Sequence, residues 1–184
     1  MRILYKYSIQ VLVLMLLAGG AVLAAPVGHE LLFANAQNAG AITDDDRRAI
    51  YGQLGLKVGA DGKTLVFADA PQCPPLQAGS GDIQINTEDL NGDKHPEVFV
   101  SLGSTCMFGF AGTSVFLFIK DGAGHWLLHN LGAGMYVVQK SRHQGYSDLM
   151  IGGPGFCQPV LRWDGKTYVF HHNVAEQPGG CDGQ

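Results

Sequence analysis

Basic charge is the first thing this sequence has little of. Its 184 residues carry 12 Lys and Arg against 16 Asp and Glu, a net charge of −4 with neutral histidines. Arg2 and Lys6 lie in a leader-like N-terminus, so the remainder is more acidic still. Such a chain lacks the basic patch that nucleic acid selects and the polybasic surface that anionic membranes attract. Long apolar runs are also lacking. Ile9–Leu17 falls short of the roughly 20 apolar residues of a membrane span. No Cys-x-x-Cys occurs, which argues against a zinc ribbon or a thioredoxin-type site. Ser101, Ser104 and Ser114 lack a Gly-x-Ser-x-Gly elbow. Gly152–Gly155 lacks the lysine and helix start of a phosphate loop, and reads as a cramped turn beside Cys157. No catalytic residue stands out.

What is present begins with a targeting signal. A positive n-region, the short h-region and the tripeptide Val22-Leu23-Ala24 predict a signal peptide over 1–24, cut after Ala24. After cleavage no membrane insertion is expected, and the protein is periplasmic or secreted. The four cysteines, Cys73, Cys106, Cys157 and Cys181, then predict two disulfides, with three pairings open.

The remaining chain, 25–184, reads as one mainly β domain with an N-terminal helix. Residues 25–41 look irregular. A helix over about 43–55 follows, with Thr43 as N-cap and Asp44, Asp45 and Asp46 in its first turn, where negative charge suits the helix dipole. Ile50, Tyr51 and Leu54 form its apolar stripe and Gly55 its stop. Short apolar runs between glycine-rich turns predict antiparallel strands near 64–67, 83–86, 97–102, 115–120, 126–130, 136–139, 148–151, 160–163 and 167–171. Asp61-Gly62, Asp121-Gly122 and Asp164-Gly165 are placed at hairpin turns, where the glycine supplies positive φ.

The chain also repeats. Glu97-Val98-Phe99-Val100 aligns with Asp148-Leu149-Met150-Ile151, and Cys106 then falls on Cys157. With a shorter loop in the second copy, Trp126 meets Tyr168 and His129 meets His171. Two related units, about 87–139 and 140–174, are expected. Equivalent loops at one end of the domain favour a Cys106–Cys157 disulfide, leaving Cys73–Cys181.

One segment carries ion chemistry. Asp89, Asn91 and Asp93 alternate, Glu97 follows, and an apolar strand comes next. Calcium takes six to eight oxygen ligands, and a loop of this pattern supplies most of them. An EF-hand needs glutamate at position twelve; that position is Val100. Asp-Leu-Asn-Gly-Asp with Pro-Glu and a strand resembles the calcium loop of FG-GAP/VCBS-type repeats, found in integrin alpha-chain propellers and many exported bacterial proteins. The resemblance implies one structural Ca²⁺ held by the side chains of Asp89, Asn91, Asp93 and Glu97 and the carbonyl of His95. Two departures stand out. Position six, usually glycine, is Lys94, and the sister loop reads Lys140, Arg142 and Gln144, with only Asp148 left of the acids. One ion site is therefore expected, not two. A full propeller typically needs four to eight blades, so a sandwich or a partial propeller-like stack is expected here.

Other candidates are weaker. His125 and His129 share a strand face at period two but lack a third metal ligand, while His171 and His172 fall on opposite faces. Trp126, Tyr136, Trp163 and Tyr168 read as core filling before binding surface. Met107, Phe108 and Phe110 sit on a long apolar loop near Cys106, either as a partner-binding tip or as a lid on the core. The expected function is an exported calcium-stabilised binding module that contacts an unidentified protein partner, without catalysis. A periplasmic hydrolase, an inhibitor or immunity-type protein, and an envelope structural protein are the alternatives.

Overall fold

The computed structural model describes residues 27–36 and 42–183. The expected signal peptide, its cleavage site and residues 37–41 lie outside the described residues. Over these described residues the protein is mainly β, with three antiparallel sheets and no closed barrel. No helix among the described residues is long and apolar enough to cross a membrane.

The N-terminal layer holds α1 (Gly28–Leu32), α2 (Asp44–Tyr51) and a small sheet of β1 (Leu56–Val58), β2 (Thr64–Phe67) and β3 (Leu76–Gln77). Helix α1 corrects the irregular reading of 25–41. Its Leu31 and Leu32, with Phe33 after it, are buried in the core. Five residues are too few for a periodic signal. Helix α2 is shorter than expected: it ends at Tyr51, and turns carry the chain to Gly55, whose φ is 64°. Its start is as expected. Thr43 accepts the Asp46 N–H, and Asp46 Oδ2 accepts the Thr43 N–H at 3.1 Å in return.

Two four-stranded sheets follow, each a meander in chain order. The middle sheet is β4 (Ile83–Glu88), β5 (Glu97–Gly103), β6 (Thr113–Lys120) and β7 (Trp126–Ala133). The outer sheet is β8 (Met135–His143), β9 (Tyr146–Gly152), β10 (Cys157–Trp163) and β11 (Tyr168–Ala175). The chain passes between them at Gly134, not at 139/140, so the unit boundary moves. There φ is 139°, and a Cβ would lie 2.3 Å from the Gly152 carbonyl oxygen. Only glycine fits that crossing.

The layers stack in one direction. Val98, Val100 and Leu102 of the middle sheet pack on the N-terminal layer. Phe99, Leu117 and Ile119, from its other face, pack on Leu149, Ile151, Trp163 and Tyr168 of the outer sheet. A sheet covered on both faces needs apolar residues at successive positions, which explains the unbroken Val98-Phe99-Val100. Tyr136 stacks on Phe99 with ring centroids 3.8 Å apart, and Trp126, Trp163 and Tyr168 are buried. The turn at 121–125 differs in detail from expectation: Gly124, at φ 86°, is left-handed there rather than Gly122.

Candidate metal centre and adjoining surfaces

The loop between β4 and β5 is organised by its own side chains. Asp89 Oδ1 accepts the Gly92 N–H at 2.7 Å and Oδ2 accepts the Lys94 N–H at 3.1 Å. Asn91 Oδ1 accepts the Asp93 N–H, and Asp93 Oδ1 accepts the His95 N–H. These are Asx turns that wind the chain into a tight coil. Lys94 sits at φ 69°, the left-handed conformation that favours glycine at position six. The sister hairpin has Gly145 at the aligned position, with φ 89°. The His95 side chain is 88 % exposed, with its Nδ1 3.6 Å from Asp93 Oδ1.

Glu97 lies under this coil. It is 4 % exposed, and its Oε2 accepts the Leu90 N–H at 2.7 Å. Burial pushes its carboxyl up; the Leu90 bond counters in part, and the charges of Asp93 and Asp89 add to the rise, to about 7. The oxygen types suit a hard cation. In this conformation those oxygens hold backbone N–H groups, and among the described residues no three His, Cys, Asp or Glu side chains converge as a metal site.

Compared with protein-family models, curated proteins and solved structures, the chain matches none.

The sister position shows what Glu97 lacks. Asp148 opens the equivalent stretch of β9 and is fully buried. Arg162 grips it with two bonds, at 3.0 and 2.7 Å, and Ser141 donates a third at 2.7 Å. The Arg162 guanidinium holds the Asp148 carboxyl below its usual range. A fixed cation thus sits where the second unit has lost its acidic loop. Sequence reading missed Arg162, which lies fourteen positions from Asp148; once Asp148 is buried, a cation has to face it. Arg142 comes near the first loop, since a Cβ on Gly92 would lie 3.5 Å from its Nη1. It forms no ion pair within the described residues.

The remaining candidates separate. His125 is exposed beside Asp121, whereas His129 is buried, with Nδ1 3.0 Å from Thr167 Oγ1. They do not form a pair, because His125 precedes the strand in the turn. His171 and His172 do meet, with ring centroids 4.7 Å apart. A bulge in β11 opposite Val160/Leu161 breaks the alternation that would separate them. Ser104 caps the short helix α3 (Thr105–Phe108), and Ser114 Oγ donates to the Gly132 carbonyl. Gln158 ties 153–155 together through Gly153 N–H and the Gly153 and Gly155 carbonyls.

The disulfides correct the expected pairing: Cys73 bonds Cys106, and Cys157 bonds Cys181. Equivalent loops in a one-way stack are offset by about one sheet spacing, roughly 10 Å, beyond the roughly 4.4–6.8 Å Cα separation of a disulfide. Each cysteine therefore finds a local partner. Cys106 staples α3 to the β2–β3 connection, and Cys157 staples the C-terminal turns. The loop above Cys106 divides its apolar residues. Phe108 packs edge-on to Phe67 and Phe116, and Met107 joins the same core. Phe110 is fully exposed. Beside it lies a cleft of ≈ 320 Å³ lined by Ala111, Thr113, Met135, Gly153 and Pro154. Met135 is 69 % and Phe156 54 % exposed, and neither was singled out from sequence.

Proposed function

We propose that this protein is an exported binding module, stabilised by calcium at the Asp89–Glu97 loop, which contacts another protein through its disulfide-stapled loop end. The observation that carries the ion is the contrast between two equivalent carboxylates. Asp148 has Arg162 as its cation, whereas Glu97 is buried with Asp89 and Asp93 close enough to raise its pKa. A divalent ion held by Asp89, Asn91, Asp93, Glu97 and the His95 carbonyl would supply the missing charge. Its chemistry there is structural, because it would neutralise three carboxylates in one coil. Two disulfides belong to an oxidising compartment, which supports export to the periplasm or beyond. The exposed Phe110 and Met135 around the stapled cleft support a protein contact, since exposed aromatic anchors on held loops are the usual hot spots of interfaces.

Thermal melting in calcium and in EGTA tests the ion. The wild type is expected to melt higher in calcium, and Asp89→Ala to lose that difference. Equal melting of the wild type in both removes calcium from the function. Capture of a stoichiometric protein from an envelope extract, lost in Phe110→Ser, tests the contact; capture unaffected by Phe110→Ser places it elsewhere.

A further inference from the structure

Three cavities at the stapled loop end run into one another. The first, of ≈ 320 Å³, is lined by Pro74, Pro75, Asp82 and residues around Cys106. It shares Gly103 and Gly112 with a second of ≈ 310 Å³. That one shares Ala111, Thr113 and Met135 with the cleft beside Phe110. The result is a single groove. It starts beside the Cys73–Cys106 disulfide, crosses from the middle sheet to the outer sheet at Met135, and ends at Gly153, Pro154 and Glu176. Glu176 adjoins the second disulfide: its N–H donates to the Phe156 carbonyl at 2.8 Å, one residue before Cys157.

The middle of this groove is apolar and its ends are acidic. Met135 lines the middle and is exposed. Phe110 and Phe156, also exposed, stand on the two stapled loops beside it. Disulfides hold both loops, so little ordering entropy remains to be lost on binding. Gly103, Gly112, Gly134 and Gly153 give the groove a floor of backbone rather than side chains. Asp82 lies at one end and Glu176 at the other, and among the described residues no Lys, Arg or His lines any of the three cavities. This holds although residues 135–175 are basic on balance, since Lys140, Arg142, Arg162 and Lys166 all lie elsewhere. Neither acid has a cation. Among the described residues both stand outside every ion pair, and the Asp82 carboxylate accepts one bond, from the Gln77 N–H at 3.0 Å.

We infer that this groove holds an extended basic segment of a partner protein. Two of its arginines or lysines pair with Asp82 and Glu176, and the residues between them seat on Met135. Long basic side chains suit both surfaces at once, because their apolar stems cover apolar side chains while their charged heads reach the acids. Arginine suits them best: its planar fork takes a carboxylate bidentately and stacks on exposed rings such as Phe110. Each cavity lies at the low end of the range for ligand pockets, about 300 Å³. A row of such spaces admits a few side chains in line and excludes a folded domain. The inference rests on the reading of the chain as a module that binds protein through its stapled end, and adds the partner's charge and shape. It does not rest on calcium.

The probes are acetylated and amidated peptides of glycine and leucine with two arginines at varied spacing, and the same peptides with glutamate or glutamine in place of arginine. They are titrated into isotope-labelled protein by NMR at low salt. At least one arginine peptide is expected to shift the amides of Gly103, Gly112, Met135 and Gly153. Salt of about 1 M, where the screening length is roughly 3 Å, is expected to weaken it. Asp82→Asn, which keeps an acceptor for Gln77, and the exposed Glu176→Gln are each expected to weaken it about two- to fivefold, and the double variant about tenfold. The glutamate peptides are expected not to bind. The inference falls if no arginine peptide shifts the groove, if the glutamine peptides bind as well, or if the double variant binds like the wild type. It also falls if the protein alone self-associates through the groove and Arg142→Glu abolishes that, because the occupant is then a second copy. Phe110-dependent capture that the double variant leaves intact would sink the basic segment while the protein contact stands. Charge-dependent probe binding without any captured protein would support the groove's selectivity and count against the wider reading alone.

Discussion

Glu97 and Asp148 stand at the same point of two equivalent strands, and their surroundings drive them in opposite directions. For Asp148, removal of Arg162 would leave a buried carboxylate unpaired, which typically costs about 3–5 kcal/mol. Arg162→Met is therefore expected to lower stability by about that amount in urea unfolding. Asp148→Leu with Arg162→Met should recover most of it, because an apolar pair needs no solvation. For Glu97 the sign is reversed. Its folded pKa of about 7 lies above the ordinary 4.5, so the folded state holds the proton more tightly. Stability is then full below the ordinary value and falls as pH rises to about 7, by roughly 3 kcal/mol across that window. Glu97→Gln is expected to stabilise the protein in EGTA at pH 8. In calcium it should lose the ion's contribution instead. A wild type whose stability in EGTA does not fall between pH 5 and 8 would contradict this.

At the scale of elements, α2 shows how one side chain fixes a helix to a sheet. Asp46 closes the capping box with Thr43 and also accepts Trp126 Nε1–H and Lys120 Nζ–H, both at 2.8 Å. Burial pushes its carboxyl up, but the bonds from Lys120, Trp126 and Thr43 outweigh that and hold it at about 2. A depressed carboxylate contributes stability above its ordinary pKa that is lost as pH falls through the folded one. Roughly 2 kcal/mol should disappear between about pH 4 and 2, and Asp46→Asn should flatten that limb of the acid melt. The helix start was legible because capping is local. Nine strands were legible because each carries its own alternation or apolar run. Strands β1 and β3 were not, being three and two residues long with no period to read. The Asx-rich coil at 89–95 was legible as spacing, while the Arg162 that pairs with Asp148 in the sister unit was not, since fourteen positions separate the two. The disulfides were misread because equivalence in sequence was taken for adjacency. In a one-way stack, equivalent points never touch.

At the scale of the molecule, the acidic loop is a joint between sheets. Leu90 is fully buried in the core between the middle and outer sheets. Its carbonyl accepts the Ser147 N–H at 2.9 Å, and Asn91 Nδ2 donates to Tyr146 Oη at 3.1 Å. Charge acts in the same sense. Residues 135–175 carry four Lys or Arg against two Asp, whereas 27–134 carry six against twelve Asp or Glu, so the two parts attract across the joint. Calcium that rigidifies the coil would therefore hold the outer sheet as well as the loop. With a dissociation constant of about 10⁻⁴ M, as in extracellular modules, 1 mM calcium adds about 1.4 kcal/mol, and Tm should rise by about 3–6 °C. Hydrogen exchange gives the spatial signature. Calcium is expected to slow the Leu90 and Ser147 amides together with those of β9, while β1 and β2, which lie beyond the middle sheet, change less. Leu90→Ala should cost about 2–5 kcal/mol through the cavity it leaves. It should also uncouple the two responses: calcium still protects the loop amides, but protection no longer reaches β9. Calcium protection confined to the loop in the wild type would show that the ion stiffens a turn and does nothing for the joint.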